Sequence, residues 1–203
     1  MPKEDWNSSG KNPSKGQIDY SMREPFMRKL KTVGQMSEIR EKIKKEGKTL
    51  VWTNGCFDLG HWGHVRYFSC GKAYGDYLIV AINSDDSVRR LKGPHRPIMD
   101  WMARIEAISH IESVDFILIF ESDSPLRELE ILKPDVCLKG NDYTLETVNQ
   151  MERKLIESYG GRIEITPTSV DSTTKVLERI TDYLKTLYDP QTGEFDLKKG
   201  GYV

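Results

Sequence analysis
The chain contains no apolar run approaching the ~18 residues that span a bilayer, so no membrane partner is expected. Cysteine is sparse. Cys56, Cys70 and Cys137 are far apart and never form a CxxC pair, which argues against a zinc site or a disulfide framework. Each sits in or beside an apolar run and is expected as a buried free thiol, the ordinary state of cysteine in the reducing cytoplasm. The N-terminal MPKEDWNSSGKNPSKGQ lacks the apolar core of a signal peptide. Charge of one sign is also missing. A net charge of -1 gives no global field to draw nucleic acid or an anionic membrane. There is no internal repeat.

Residues 1–30 are rich in Lys, Ser, Asn, Gly and Pro and read as a mobile arm, with Met22, Phe26, Met27 and Leu30 able to dock near its end. Residues 188–203 read as a tail, with turn signals at Asp189-Pro190 and Thr192-Gly193. Between them, residues 31–187 form one domain in which apolar runs alternate with helical spacing. Strands are expected at 49–54, 77–84, 115–120, 135–140 and 162–166. Helices are expected at 37–46, 61–73, 100–110, 125–132, 145–159 and 173–187. Strands that are apolar almost throughout are buried on both faces. The fold class is therefore α/β: a Rossmann-like open parallel five-stranded sheet with helices on both faces. In such sheets ligands collect beyond the carboxyl ends of the strands, where strand order reverses.

The stretch TLVWTNGCFDLGHWGHVRYF lies at the end of the first core strand. Gly55 and Gly60 permit tight turns, and Gly63 leaves room for a close approach. The helix opening at His61 or Trp62 points its free amides and positive dipole end out of the sheet, which favours a phosphate. His61 and His64 are three apart, lie on one face and can both address one anion. Imidazole donors suit a phosphoryl group that gains charge as it reacts. Two histidines with no Cys or carboxylate partners make a poor zinc site, and no protein metal site is expected.

HWGH has the form HxGH, and the string around it resembles the HxGH nucleotidyltransferase superfamily, cytidylyltransferase-like in type. Within that superfamily the chain is most similar to the heptose 1-phosphate adenylyltransferase domain of ADP-heptose synthases. TNGCFDLGHWGHVRYF, VAINSDDSVRRLKGPHRPI, SVDFILIFESDSPLRELEILKPDVCLKGNDY, YGGRIEI and STTKVLERI follow in register. The resemblance implies a nucleotidyltransferase domain at 31–187 and in-line attack by a substrate phosphate on the α-phosphorus of a nucleoside triphosphate. It implies that His61 and His64 hold the triphosphate. Thr53, Gly55, Cys56 and Phe57 would line the nucleotide pocket, and Asp58 would orient the loop or a histidine, or else serve as a turn aspartate. Lys72 matches a basic position of the family helix and Arg104 a family arginine; a solvated lysine and a surface ion pair are the alternatives. Arg89, Arg90 and Lys92, read as part of a Gly/Pro-containing loop, would close over phosphate. Lys139 is a second phosphate candidate, and Asp142 an acceptor for ribose or sugar hydroxyls. Ser172, Thr173 and Thr174 would cap the last helix and bind the nucleotide. Mg²⁺ is expected with the triphosphate, held mostly by phosphate oxygens and water. A homodimer is implied.

The acceptor follows from finer motifs. Glycerol-3-phosphate cytidylyltransferases also use HWGH but carry RTxGISTT; here Pro167 to Thr174 lacks the arginine and the glycine. TNGCFD, NSD, LKGxxRP and KGxDY are all present and point to the heptose branch, which transfers AMP from ATP to D-glycero-D-manno-heptose 1-phosphate. Asn141 stands where that branch commonly has Gly or Ala, and TLETVNQMERKLIESYGG lacks its small residues. The kinase domain fused in some relatives is not in this sequence and is expected as a separate protein. The alternative is a CTP-dependent enzyme acting on glycerol 3-phosphate or a similar polyol phosphate.

Overall fold
In the computed structural model, which describes residues 28–167, 173–189, 191–192 and 194–195, the five apolar runs become β1 (Leu50–Gly55), β2 (Tyr77–Asn83), β3 (Phe116–Phe120), β4 (Val136–Lys139) and β5 (Arg162–Ile165). They form one sheet in the order β3-β2-β1-β4-β5, every pair parallel. The helices are α1 (Val33–Lys45), α2 (Trp62–Lys72), α3 (Asp85–Lys92), α4 (Trp101–Ser109), α5 (Leu126–Leu132), α6 (Gln150–Ser158) and α7 (Thr173–Leu187). The doubly covered parallel sheet agrees with the fold expected from the sequence.

Strand alternation decides which helix packs where. Leu50 and Trp52 of β1 face Met36 and Ile43 of α1, Leu129 and Leu132 of α5 and Ile156 of α6. Val51 faces the opposite layer, with Tyr67 and Phe68 of α2 and Ile105 and Ile108 of α4. Gly71 lets α2 lie close on the sheet: a Cβ there would stand 2.9 Å from Leu138 Cδ2. β1 has β2 on one side and β4 on the other, so the order reverses at β1. The β1–β4 ladder lasts only from Val51–Val136 to Trp52–Cys137, after which the strands splay and leave a crevice.

Two segments differ from expectation. Residues 85–92 form a helix rather than a loop: Ser84 caps it, Asp85 and Asp86 occupy its first turn and Gly93 ends it. The helix expected from Leu145 begins at Gln150, where the Asn149 side chain accepts from the Met151 and Glu152 amides. At the N-terminal end, Lys29 is buried with Nζ donating to Ile111 O (2.8 Å), and Leu30 bridges to Ile117, so both dock on the domain. Met22, Phe26 and Met27 lie outside the described residues. Tyr188–Asp189 (β6) pairs antiparallel with Glu194–Phe195 (β7), which gives the described part of the expected tail a hairpin. No described helix is long and apolar enough to cross a membrane.

Candidate active site
β1 delivers the chain into a tight loop in which Phe57 (φ 45°) and Leu59 (φ 47°) both take left-handed backbone. For non-glycine residues that costs on the order of 1–3 kcal/mol each. Asp58, 1% exposed, holds the loop. Its Oδ1 accepts from the amides of Leu59 and Met99 (both 3.0 Å). Its Oδ2 accepts from Arg96 Nε (2.7 Å) and the Ile98 amide (2.8 Å). Burial alone would raise the Asp58 pKa, but the Ile98 and Met99 amides and the Arg96 guanidinium outweigh it and hold the carboxyl below its ordinary value.

The loop ends at His61, the N-cap of α2, whose Nδ1 accepts from the Gly63 amide (3.1 Å). That bond assigns the neutral tautomer with its proton on Nε2. His64 stands one turn on, with ring centroids 3.9 Å apart and planes tilted by 30°. Burial, then the neighbouring His61, pushes the His64 pKa down to about 4, so the ring is neutral at pH 7. Phe57 meets His64 edge-on at 5.5 Å. The amide supply is smaller than the helix start promised: Gly63 N–H goes to His61 Nδ1 and His64 N–H to His61 O, leaving Trp62 in the first turn. The two rings stand together at the helix start, with His61 Nε2 and His64 Nδ1 both buried.

A cleft of about 760 Å³ opens beyond the carboxyl ends of β1, β2 and β4. Gly55 borders it from the end of β1, Cys56, Phe57 and Asp58 from the loop that follows, and His64 from α2. Lys139 and Asp142 border it from the end of β4, Thr173 and Thr174 from the start of α7, and Lys92 from α3. His61 borders a smaller pocket of about 320 Å³ on the outer side of the α2 start, which it shares with His64. Thr173 Oγ1 donates to Asp58 O (2.6 Å) and ties α7 to the histidine loop. Asp142 folds over Gly140, where a Cβ would meet its Oδ1 at 2.4 Å and displace that side chain. Ser172 lies outside the described residues.

The structure moves several expected residues out of direct contact. Lys72 lies away from the cleft: its Nζ pairs with Asp115 Oδ2 (2.6 Å) at the amino edge of the sheet, the end of α2 away from the histidines. Arg104 has a fully buried side chain that donates to Cys56 O (2.6 Å), Asn83 O (2.8 Å) and Asp85 Oδ1 (2.7 Å). It fastens the ends of β1 and β2; it does not border the main cleft but does border the smaller pocket shared by His61 and His64. Thr53 is buried, with Oγ1 bonded to Tyr67 Oη (2.8 Å) and Leu138 O (3.3 Å). Arg89 and Arg90 do not border the cleft: Arg89 pairs with Asp86 within α3, and Arg90 pairs with Asp123 at the cleft edge. Asp58, expected to orient the loop or bind phosphate, borders the cleft and spends both oxygens on protein partners.

Residues bordering the cleft that the sequence reading did not assign to the site include Asn54, Arg96, Asp123, Glu152 and Lys175. Arg96 carried a signal, as the basic residue of LKGPHRP; Glu152 carried none, being one of many charges on a helix. Among the described residues no group of three or more His, Cys, Asp or Glu is placed to hold a metal ion.

Comparison with known proteins agrees with this geometry. The cytidylyltransferase-like family profile matches residues 52–179. The chain is 47% identical over 154 residues to the bifunctional protein HldE of Geobacter metallireducens, covering 75% of this chain and 31% of that protein. It is 41% identical over 155 residues to bifunctional protein HldE of Alcanivorax borkumensis, covering 73% of this chain and 32% of that one. This chain thus spans about a third of the length of those relatives. Among solved structures it resembles the lipopolysaccharide core biosynthesis protein of Thermoplasma volcanium, with TM-score 0.51 and 28% identity over 62% of this chain and 100% of that one. It shares the fold of pantoate-beta-alanine ligase from Francisella tularensis, with TM-score 0.52 and 15% identity over 71% of this chain and 68% of that one. With the profile covering more than half its length, the chain belongs to the cytidylyltransferase-like family.

Proposed function
We propose that this protein is a nucleotidyltransferase that joins AMP from ATP to a sugar 1-phosphate, D-glycero-D-manno-heptose 1-phosphate, and releases pyrophosphate. The observation that carries the reading is the His61–His64 ring pair at the mouth of α2, beside a cleft at the strand-order switch. An oxygen of the sugar phosphate attacks the α-phosphorus, the bond from that phosphorus to the bridging oxygen breaks, and the electron pair leaves with pyrophosphate. The attacking oxygen is already ionised, so no general base is needed. The task is alignment and stabilisation of charge growing on the leaving group. Neutral imidazoles suit it: the helix cap fixes the His61 tautomer with its proton on Nε2, an atom the structure holds buried. Lys92 and Arg96, across β1 from Lys139, provide cations for the acceptor phosphate. Asp142 suits ribose or sugar hydroxyls.

The family resemblance brings Mg²⁺ with the triphosphate. Of the described carboxylates bordering the cleft, Asp58 and Glu152 are spent on protein partners and Asp123 pairs with Arg90, which leaves Asp142 and no cage. A bound Mg²⁺ would rest on phosphate oxygens and water and neutralise their charge. The HldE relatives and the name of the Thermoplasma protein support a carbohydrate acceptor. The three free thiols support a reducing compartment, the cytoplasm. The homodimer implied by the resemblance is read by sedimentation, where a monomer at micromolar concentration would remove it.

Pyrophosphate release from ATP and CTP, each with heptose 1-phosphate, glucose 1-phosphate or glycerol 3-phosphate, tests the function. Turnover with ATP and heptose 1-phosphate is expected. Turnover confined to CTP with glycerol 3-phosphate would replace this reading with the polyol-phosphate one.

A further inference from the structure
Where β1 and β4 splay, side chains fill the gap. Lys139 Nζ donates to Asn54 Oδ1 (3.0 Å) and Glu152 Oε2 (2.8 Å). Glu152 Oε1 accepts from Ser124 Oγ (2.7 Å), and Asn54 Oδ1 also accepts from Trp52 Nε1 (3.1 Å). The Lys139 and Glu152 side chains are 11% and 6% exposed. An ion pair this buried is a poor device for stability alone, because apolar residues of similar volume fill such space as well or better. Its place in the cleft wall gives it another use. An ammonium carries three N–H donors. Two are spent on Asn54 and Glu152, and one is left on a residue that borders the cleft. Glu152 has a partner at each oxygen, so it acts through Lys139.

We infer that Glu152 is a positioning residue for nucleotide recognition: it seats the Lys139 ammonium in the crevice between β1 and β4 so that the remaining N–H meets the bound nucleoside triphosphate. This rests on the nucleotidyltransferase reading. The nucleotide, not the acceptor, is the expected contact because this half of the cleft also presents Tyr143 and Val148, apolar walls for a base, and Thr173 and Thr174. The cations suited to the acceptor phosphate, Lys92 and Arg96, come from the β2 side.

The test uses the full chain and ATP with Mg²⁺, measured at equilibrium by displacement of a fluorescent ATP analogue and separately by initial rates. Glu152→Gln keeps shape and hydrogen bonding but removes the carboxylate charge that seats the ammonium, and ATP binding weakens roughly tenfold. KM for the acceptor stays within about twofold and kcat within about threefold, because Glu152 touches neither the acceptor half nor the reacting atoms. Lys139→Met weakens ATP binding at least as much, and the double variant binds no worse than Lys139→Met, since Glu152 acts only through the lysine. The double variant also melts above Lys139→Met, which buries an unpaired carboxylate. ATP binding by Glu152→Gln within twofold of wild type, additive losses in the double variant, or an acceptor KM that rises in parallel overturns the inference. If the wild type binds ATP but turns over no acceptor, the proposed function fails while the binding ratio still decides the role of Glu152. If it binds neither ATP nor CTP, both fall.

Discussion
Asp58→Asn is the sharpest perturbation of the histidine loop. The carboxylate accepts four bonds, two at each oxygen, from three amides and the Arg96 guanidinium. An amide of the same shape must turn its NH₂ toward one of those pairs, so two donors face a donor whichever way it sits. The Asp58 side chain is fully buried and that of Arg96 is 17% exposed, so water repairs little of the loss. Removing one partner of such a pair costs about 3–5 kcal/mol. For a chain of 203 residues each kcal/mol lowers Tm by about 2–4 °C, which gives a drop of about 6–20 °C.

The same carboxylate predicts a pH signature. Its folded pKa lies below the ordinary value. A depressed carboxylate contributes stability above its unfolded pKa, about 3.9, and loses it as pH falls through the lower folded value. The stability gap between wild type and Asp58→Asn is therefore full at pH 5 to 7 and narrows below about pH 4. Calorimetry across that range measures it. A Tm loss under about 3 °C at pH 7, below the range set by the pair's loss, or a gap that widens in acid, would refute the claim that Asp58 holds the loop as a buried, ionised acceptor.

His61→Asn separates capping from chemistry. Asn is a good N-cap, so Tm stays within a few degrees, while loss of the Nε2–H lowers kcat by about 10²–10³; steady-state rates with an intact melting curve check both. His64, with a pKa of about 4, resists protonation when folded but takes up a proton near pH 6.5 when unfolded, so its contribution is full above that and lost as pH falls from 6.5 toward 4. Denaturation of His64→Gln should show a shallower decline over that interval. Lys72→Met should leave kcat and both KM values unchanged and lower stability by about 1 kcal/mol or less, its pair with Asp115 being partly exposed; a tenfold rate loss would return Lys72 to the phosphates.

The strands were legible because a parallel strand covered on both faces must be apolar throughout, as in LVWTNG and YLIVAIN. The switch point followed from their alternation with helices, and the HxGH pair from its place after β1. α3 was not legible by periodicity, since Ser87 and Val88 are its only buried residues. Its caps and charge order were the available signals: Ser84, two acidic residues first, basic residues last, then Gly93.

Lys72 and Glu152 show two different limits. Lys72 is eight residues beyond His64, and at 1.5 Å per residue that is about 12 Å along α2. A helix that starts at the carboxyl edge of a parallel sheet must run toward the amino edge. Spacing alone therefore carries Lys72 away from the phosphates, and similarity at that position outweighed a geometric argument already in the sequence. Glu152 is the converse. Nothing local marks it among the charges of QMERKLIES. Its meaning comes from α6 packing against α5 and β5, so that a helix carboxylate and the lysine ending β4, 13 positions apart, meet at 2.8 Å. Contacts of that kind exist only once the crossover has closed, and they concentrate where the strands part, because there the backbone no longer supplies its own partners. A residue that positions another in a splayed crevice is thus the kind of site residue that a motif search passes over and a structure supplies.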